Sequence, residues 1–180
     1  MPSVFYFGEH NGAATAHPTI AGTTRATGQT NVNWKNVDDT TTAYSASPIS
    51  AGSNGFTKYQ FGCFTGAFNQ ISSVKFQHVS GTFGAGITLK AIVSGLYATP
   101  GTTANSSLVH DITLTGDIAT GLVMLLGTAA QGPFVTGAAA STTLTVPGHT
   151  QYFATQLQTT VAASAGDTSV ATLQIQYNEN

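Results

Sequence analysis

Residues 72–93 read SSVKFQHVSGTFGAGITLKAIV, and the fold class turns on them. In the first run Val74, Phe76 and His78 occupy one phase of a two-residue period; in the second Ile87, Leu89, Ala91 and Val93 do the same. Such alternation puts apolar side chains on one face of an extended chain and polar ones on the other, as a half-buried strand requires. The glycines of GTFGAG bridge the two runs and predict a hairpin connection rather than a phosphate-binding loop.

The same period extends through the rest of the chain. FTKYQFGCF (56–64) precedes the two runs, and LVHDITLTGDI (108–118) sets Leu108, His110, Ile112, Leu114 and Ile118 in one phase. TTLTV (142–146), YFATQLQTTV (152–161, with Phe153, Leu157 and Val161) and VATLQIQY (170–177, with Ala171, Leu173, Ile175 and Tyr177) follow. GLVMLLGTAAQG (121–132) reads as a buried strand followed by a small-residue loop. Gly, Pro and Asn clusters separate the runs, and Thr and Val stand where a helix would use Leu, Glu, Lys and Arg. Seven to nine strands after residue 55 predict an all-β chain, an antiparallel β-sandwich of jelly-roll-like form.

Residues 1–55 differ in kind. They are rich in Gly, Ala, Thr and Asn, and too poor in aliphatic side chains to bury a core alone. Val4, Phe5, Tyr6, Phe7, Trp34, Tyr44 and Ile49 nevertheless recur along them. This pattern suits an extended N-terminal arm that anchors aromatic side chains on another element or another subunit. The division expected is an arm over 1–55 and a β-sandwich domain over 56–180.

Composition narrows the role. Charged residues make up 7% of the 180 residues, against roughly a quarter in an ordinary soluble domain. Domains normally guard sheet edges and solubility with Lys and Glu, so a chain this poor in charge is expected to cover surface with copies of itself or with a partner. All five basic residues lie in residues 1–90, whereas residues 91–180 hold four acids and no Lys or Arg. No two basic residues fall within nine positions of each other, which argues against nucleic acid as a partner. No secretory signal or membrane-spanning run is visible, and the single cysteine, Cys63, excludes an internal disulfide framework.

Candidate chemistry is sparse. Asp38 and Asp39, in NWKNVDDTTTAY (33–44), are neighbours that point apart on an extended chain, poorly placed for an acid/base dyad. They suit a turn or an intersubunit contact, since Asp followed by Thr readily bonds its own backbone, with a cation site as the minority reading. The histidines at 10, 17, 78, 110 and 149 lack metal-ligand spacing. His78 and His110 share the apolar phase of their strands and read as two separately buried rings, or as a pair if their strands adjoin. Cys63 reads as a small buried hydrophobe. With no G-x-S-x-G elbow and no phosphate loop, the expectation is a protein that is not an enzyme and has no cofactor. Exposed aromatics such as Trp34, Tyr44, Tyr97 and Tyr152 could stack on sugar, although anchoring the arm is the more ordinary use.

With its Thr/Ala/Gly-rich, charge-poor composition, its aromatic N-terminal stretch (SVFYFGEHNGAA, NWKNVDDTTTAYSASPISAGSN) and a sandwich running from FTKYQFGCFTGAFNQISSVKFQH to SVATLQIQYNEN, the chain resembles the capsid decoration, or cement, proteins of tailed bacteriophages. The resemblance implies a virion protein made in the host cytoplasm and seated on the capsid surface. It would be a homotrimer bound to the major capsid protein, reinforcing contacts between capsomers, with no membrane partner. On that reading Phe5, Tyr6, Phe7, Trp34, Asp38, Asp39 and Tyr44 are the expected capsid or intersubunit contacts. The alternative is a tail, baseplate or receptor-binding appendage that recognises a host surface glycan.

Overall fold

The computed structural model describes residues 2–13, 24–113, 124–128, 140–164 and 171–180. Eleven strands are found among them: β1 (Val4–Asn11), β2 (Thr24–Thr27), β3 (Lys58–Thr65), β4 (Ile71–Ser80), β5 (Ile87–Ser94), β6 (His110–Asp111), β7 (Leu126–Gly127), β8 (Thr143–Leu144), β9 (Gly148–Thr150), β10 (Tyr152–Thr159) and β11 (Thr172–Glu179). Every pairing is antiparallel. The chain is all-β, as the two-residue period predicts, and its sheets form a sandwich-like arrangement. One sheet has eight strands, running β2-β1-β3-β10-β5-β6 with β9 and β7 continuing beside β3; the other has three, in the order β11-β4-β8.

The stretch that decides the fold class departs from expectation in its connection. β4 belongs to the small sheet and β5 to the large one, so GTFGAG is not a hairpin. It carries the chain from one layer to the other. The apolar phases explain why: Val74 and Phe76 from β4 and Leu89 and Ala91 from β5 are all buried and meet in one core cluster, which two facing sheets allow. Phe76 of the small sheet stacks on Phe153 of the large sheet at 4.4 Å and 21°, an offset aromatic contact that adds about 1 kcal/mol to its area burial.

A second difference concerns β3. It is buried on both faces over Lys58–Phe64 rather than half-buried. Phe64 faces the small sheet, whereas Tyr59, Phe61 and Cys63 face away and pack with Tyr152, Ala154, Tyr97 and Leu108 in a separate cluster. Tyr97 and Leu108 come from the connection between β5 and β6, which lies across that outer face. Leu108 and Ile112, placed in one phase by the sequence, thus end in different clusters. Leu114 and Ile118 lie outside the described residues, as do His17 and most of GLVMLLGTAAQG; Met124 and Leu126 of that stretch are buried.

The described residues among the first 55 pack on the body of their own chain. β1 pairs with β3 over seven residue pairs, from Val4↔Thr65 to His10↔Tyr59. Residues 29–57 run largely irregular, with one 3-10 turn at Tyr44–Ala46. Backbone bonds from Gly55 N to Leu157 O and from Gly52 N to Thr160 O tie this segment beside β10.

Candidate functional site

Cross-strand partners share a face of the sheet, so the β1–β3 register sets what the inner face of the large sheet presents. Phe5 and Phe64, then Phe7 and Gly62, then Glu9 and Gln60 stand opposite one another. Phe153 and Thr155 of β10 continue the rows beside Gln60 and Lys58. The inner face therefore grades from aromatic at one end to polar at the other. At the polar end the segment 33–44 closes over it.

That closure is a buried network. Lys58 and Glu9 are 0% and 1% exposed, with Nζ 3.0 Å from Oε1. Asn11 Nδ2 and Gln60 Nε2 also donate to the Glu9 carboxylate, at 2.9 Å each, and Lys58 Nζ donates to Asp39 O at 3.0 Å. Asp38 accepts from Asn11 Nδ2 at 2.8 Å and from Gly12 N at 2.6 Å. Charges removed from water this completely persist only when paired and hydrogen-bonded, and here each is.

Asp39 forms a turn. Its Oδ1 accepts from Thr41 N at 3.0 Å and Thr42 N at 2.8 Å, and its Oδ2 from Thr42 Oγ1 at 2.6 Å. Buried Lys35 donates to Oδ1 at 2.7 Å and to Thr42 O at 2.6 Å. The Lys35 bond first, then the Thr42 hydroxyl and the backbone amides, hold the Asp39 carboxyl well below the usual carboxylate range. Both acidic side chains are thus spent on local architecture. Among the described residues no group of three His, Cys, Asp or Glu side chains could hold a metal ion.

Beside the network, toward the aromatic rows, the two sheets part to leave a cleft of about 490 Å³. Asn33, at φ 48°, turns the chain in the left-handed conformation that Asn tolerates. Trp34 follows on the cleft wall, its Nε1 donating to Thr155 Oγ1 at 3.0 Å and its ring edge-on to Phe83 at 6.4 Å. Phe7, Tyr44, Phe76 and Phe153 line it as well.

The structure therefore divides the expected contact residues. Phe7, Trp34 and Tyr44 meet at the cleft, while Asp38 and Asp39 bind the polar network next to it. Phe5 lies deeper on the same face, against Phe7 at 4.9 Å and Phe64 at 5.2 Å. Tyr6 points to the opposite face, beside Cys63 and Arg25, where burial raises its phenol. Arg25 stacks 5.1 Å from the Phe61 ring centre and lies 2.8 Å from His149 Nε2. Burial likewise raises the Cys63 thiol.

Glu9, Lys58 and Gln60 were not singled out from sequence. Their only signal there is a polar residue in a strand phase that elsewhere carries Phe, which is legible once the β1–β3 register is known. Phe83 was hidden by the hairpin reading. His78 is buried with Nδ1 3.0 Å from Ile112 O and Nε2 2.9 Å from Ser80 O, while His110 stands opposite Ala91 on β6.

In comparisons with known proteins, the chain matches no family model, no curated protein and no solved structure.

Proposed function

We propose that this is a structural virion protein, a decoration protein of a tailed-phage capsid, whose jelly-roll-like sandwich binds the capsid surface as a homotrimer. One observation carries the reading: among the described residues the charged side chains Glu9, Lys35 and Lys58 are buried, and the long edge strand β11 is uncharged until its last residue. Lys35 and Lys58 are fully buried, Lys90 pairs with Asp111, and Arg25 lies over Phe61. Lys75 is the one basic side chain with no bonded partner among the described residues. The edge strand β11 carries Thr, Leu, Gln, Ile, Gln, Tyr and Asn before its first charge, Glu179. Val4, Leu96, Val109, Val146 and Val161 are exposed.

A lone soluble domain guards such edges with Lys, Glu or Pro; a subunit covered by neighbours has no need to. In many copies on a lattice, modest contacts add by avidity. No catalytic constellation enters this reading. None of the helices among the described residues is long and apolar enough to cross a membrane.

The test is co-sedimentation of the purified protein with DNA-free capsids of the phage that encodes it, together with sedimentation velocity of the protein alone. Saturable binding and a trimer are expected. A monomer at capsid-saturating concentration, or pelleting no greater than with capsids of an unrelated phage, overturns the proposal.

A further inference from the structure

The cleft between the sheets has features that the packing of a sandwich does not call for. Facing sheets normally interdigitate at about native packing density. Here a space of about 490 Å³ remains among Trp34, Phe83, Phe7 and Phe153, a size within the range of small-molecule sites. Trp34 and Phe83 are only half-buried.

Two polar atoms at the cleft are unused. Gln60 is 3% exposed and lines the cleft, and its Nε2 is committed to Glu9 Oε2. Its Oε1 accepts no hydrogen bond among the described residues. Tyr44 Oη, on the wall, has no bonded partner among the described residues either. The Glu9 bond fixes the amide of Gln60, so its acceptor is held in place before any ligand arrives.

The chemistry of an occupant follows from these groups. Among the described residues no Asp, Glu, Lys, Arg or His lines the cleft, so none of them offsets the cost of desolvating a charged ligand. Aromatic rings offer faces for C–H groups, and Gln60 Oε1 and Tyr44 Oη call for hydroxyl partners. Gln29, Thr30, Asn31 and Thr172 add amides and hydroxyls at the lining. A neutral pyranose has both requirements in one molecule, an apolar C–H face and a rim of hydroxyls. A wholly apolar ligand would leave the Gln60 acceptor unsatisfied.

We infer that the cleft between the two sheets is a binding site for a neutral saccharide, with Trp34 and Phe83 as stacking walls and Gln60 and Tyr44 as hydroxyl partners. This inference does not rest on the capsid reading. A decoration protein and a free protein would present the same cleft.

Trp34 is the chain's only tryptophan, so its emission reports on the site directly. The full chain is titrated with glucose, galactose, N-acetylglucosamine and maltotriose, each to about 50 mM, a range that reaches dissociation constants in the millimolar region. A saturable change in Trp34 emission is expected with at least one of them, and none with glucuronate. Phe83→Ala should weaken that binding about fivefold to tenfold through loss of a stacking wall. Tyr44→Phe, which removes one hydroxyl and keeps the ring, should weaken it about fivefold with the circular dichroism spectrum unchanged. The inference is overturned if none of the four sugars gives a saturable response, or if both variants bind as the parent does. It is equally overturned if Trp34 responds to an apolar peptide or detergent and to no sugar.

Discussion

Replacing Glu9 by Gln removes the only carboxylate among the described residues within salt-bridge reach of Lys58 and leaves the ammonium fully buried, bonded to the Asp39 carbonyl. Breaking a buried ion pair by neutralising one partner costs about 3–5 kcal/mol, because the remaining charge stays desolvated. A midpoint near 4 kcal/mol, at about 2–4 °C per kcal/mol for a chain of this length, lowers the melting temperature by roughly 8–16 °C. Lys58→Met alone should cost a similar amount, since it leaves the carboxylate with only Asn11 and Gln60 as donors. The double variant has no stranded charge, so it should be more stable than the sum of the single losses predicts by about 2 kcal/mol or more. The assay is urea unfolding of all four proteins followed by tryptophan emission and circular dichroism. Protomer concentration is held fixed so that association does not enter the comparison. Single losses under about 1 kcal/mol with no coupling in the cycle would refute the reasoning, because two charges at 3.0 Å and 0–1% exposure cannot then be desolvated as described.

Two further outcomes follow from the same geometry. The Asp39 carboxyl titrates below its ordinary value of 3.8, so its contribution to stability is complete above that pH and is lost as pH falls below it. Asp39→Asn should therefore lower the urea midpoint at pH 7, and its deficit against the parent should narrow at pH 3; a deficit independent of pH contradicts the assignment. Gly148→Ala would drive a methyl group into the Gly127 carbonyl of β7, a backbone atom that cannot swing aside. A loss of about 1–3 kcal/mol in urea unfolding is expected, and an unchanged midpoint would mean that β7 and β9 do not lie as close as described.

Much of the architecture is legible in the sequence because strand burial is written in a local period. Val74, Phe76, Leu89 and Ala91 alternate within a few residues of one another, and a half-buried strand has no other way to satisfy its two faces. The turn at Asp39 is equally local: its acceptors and the amides of Thr41 and Thr42 lie within three residues.

What the sequence by itself determined is therefore the all-β class, the runs that become the long strands, and a chain with few charged residues. Tertiary structure alone decided which strands share a sheet, and with that everything at the candidate site. GTFGAG looks the same whether it closes a hairpin or crosses between layers, because its glycines permit both. Only the pairing of β4 with β11 and of β5 with β10 selects the crossing that sets Phe83 against Trp34. Glu9 and Lys58 stand 49 positions apart, and nothing local to either marks it as buried. Their contact exists because the β1–β3 register turns both to one face, where segment 33–44 shuts out water and makes pairing obligatory.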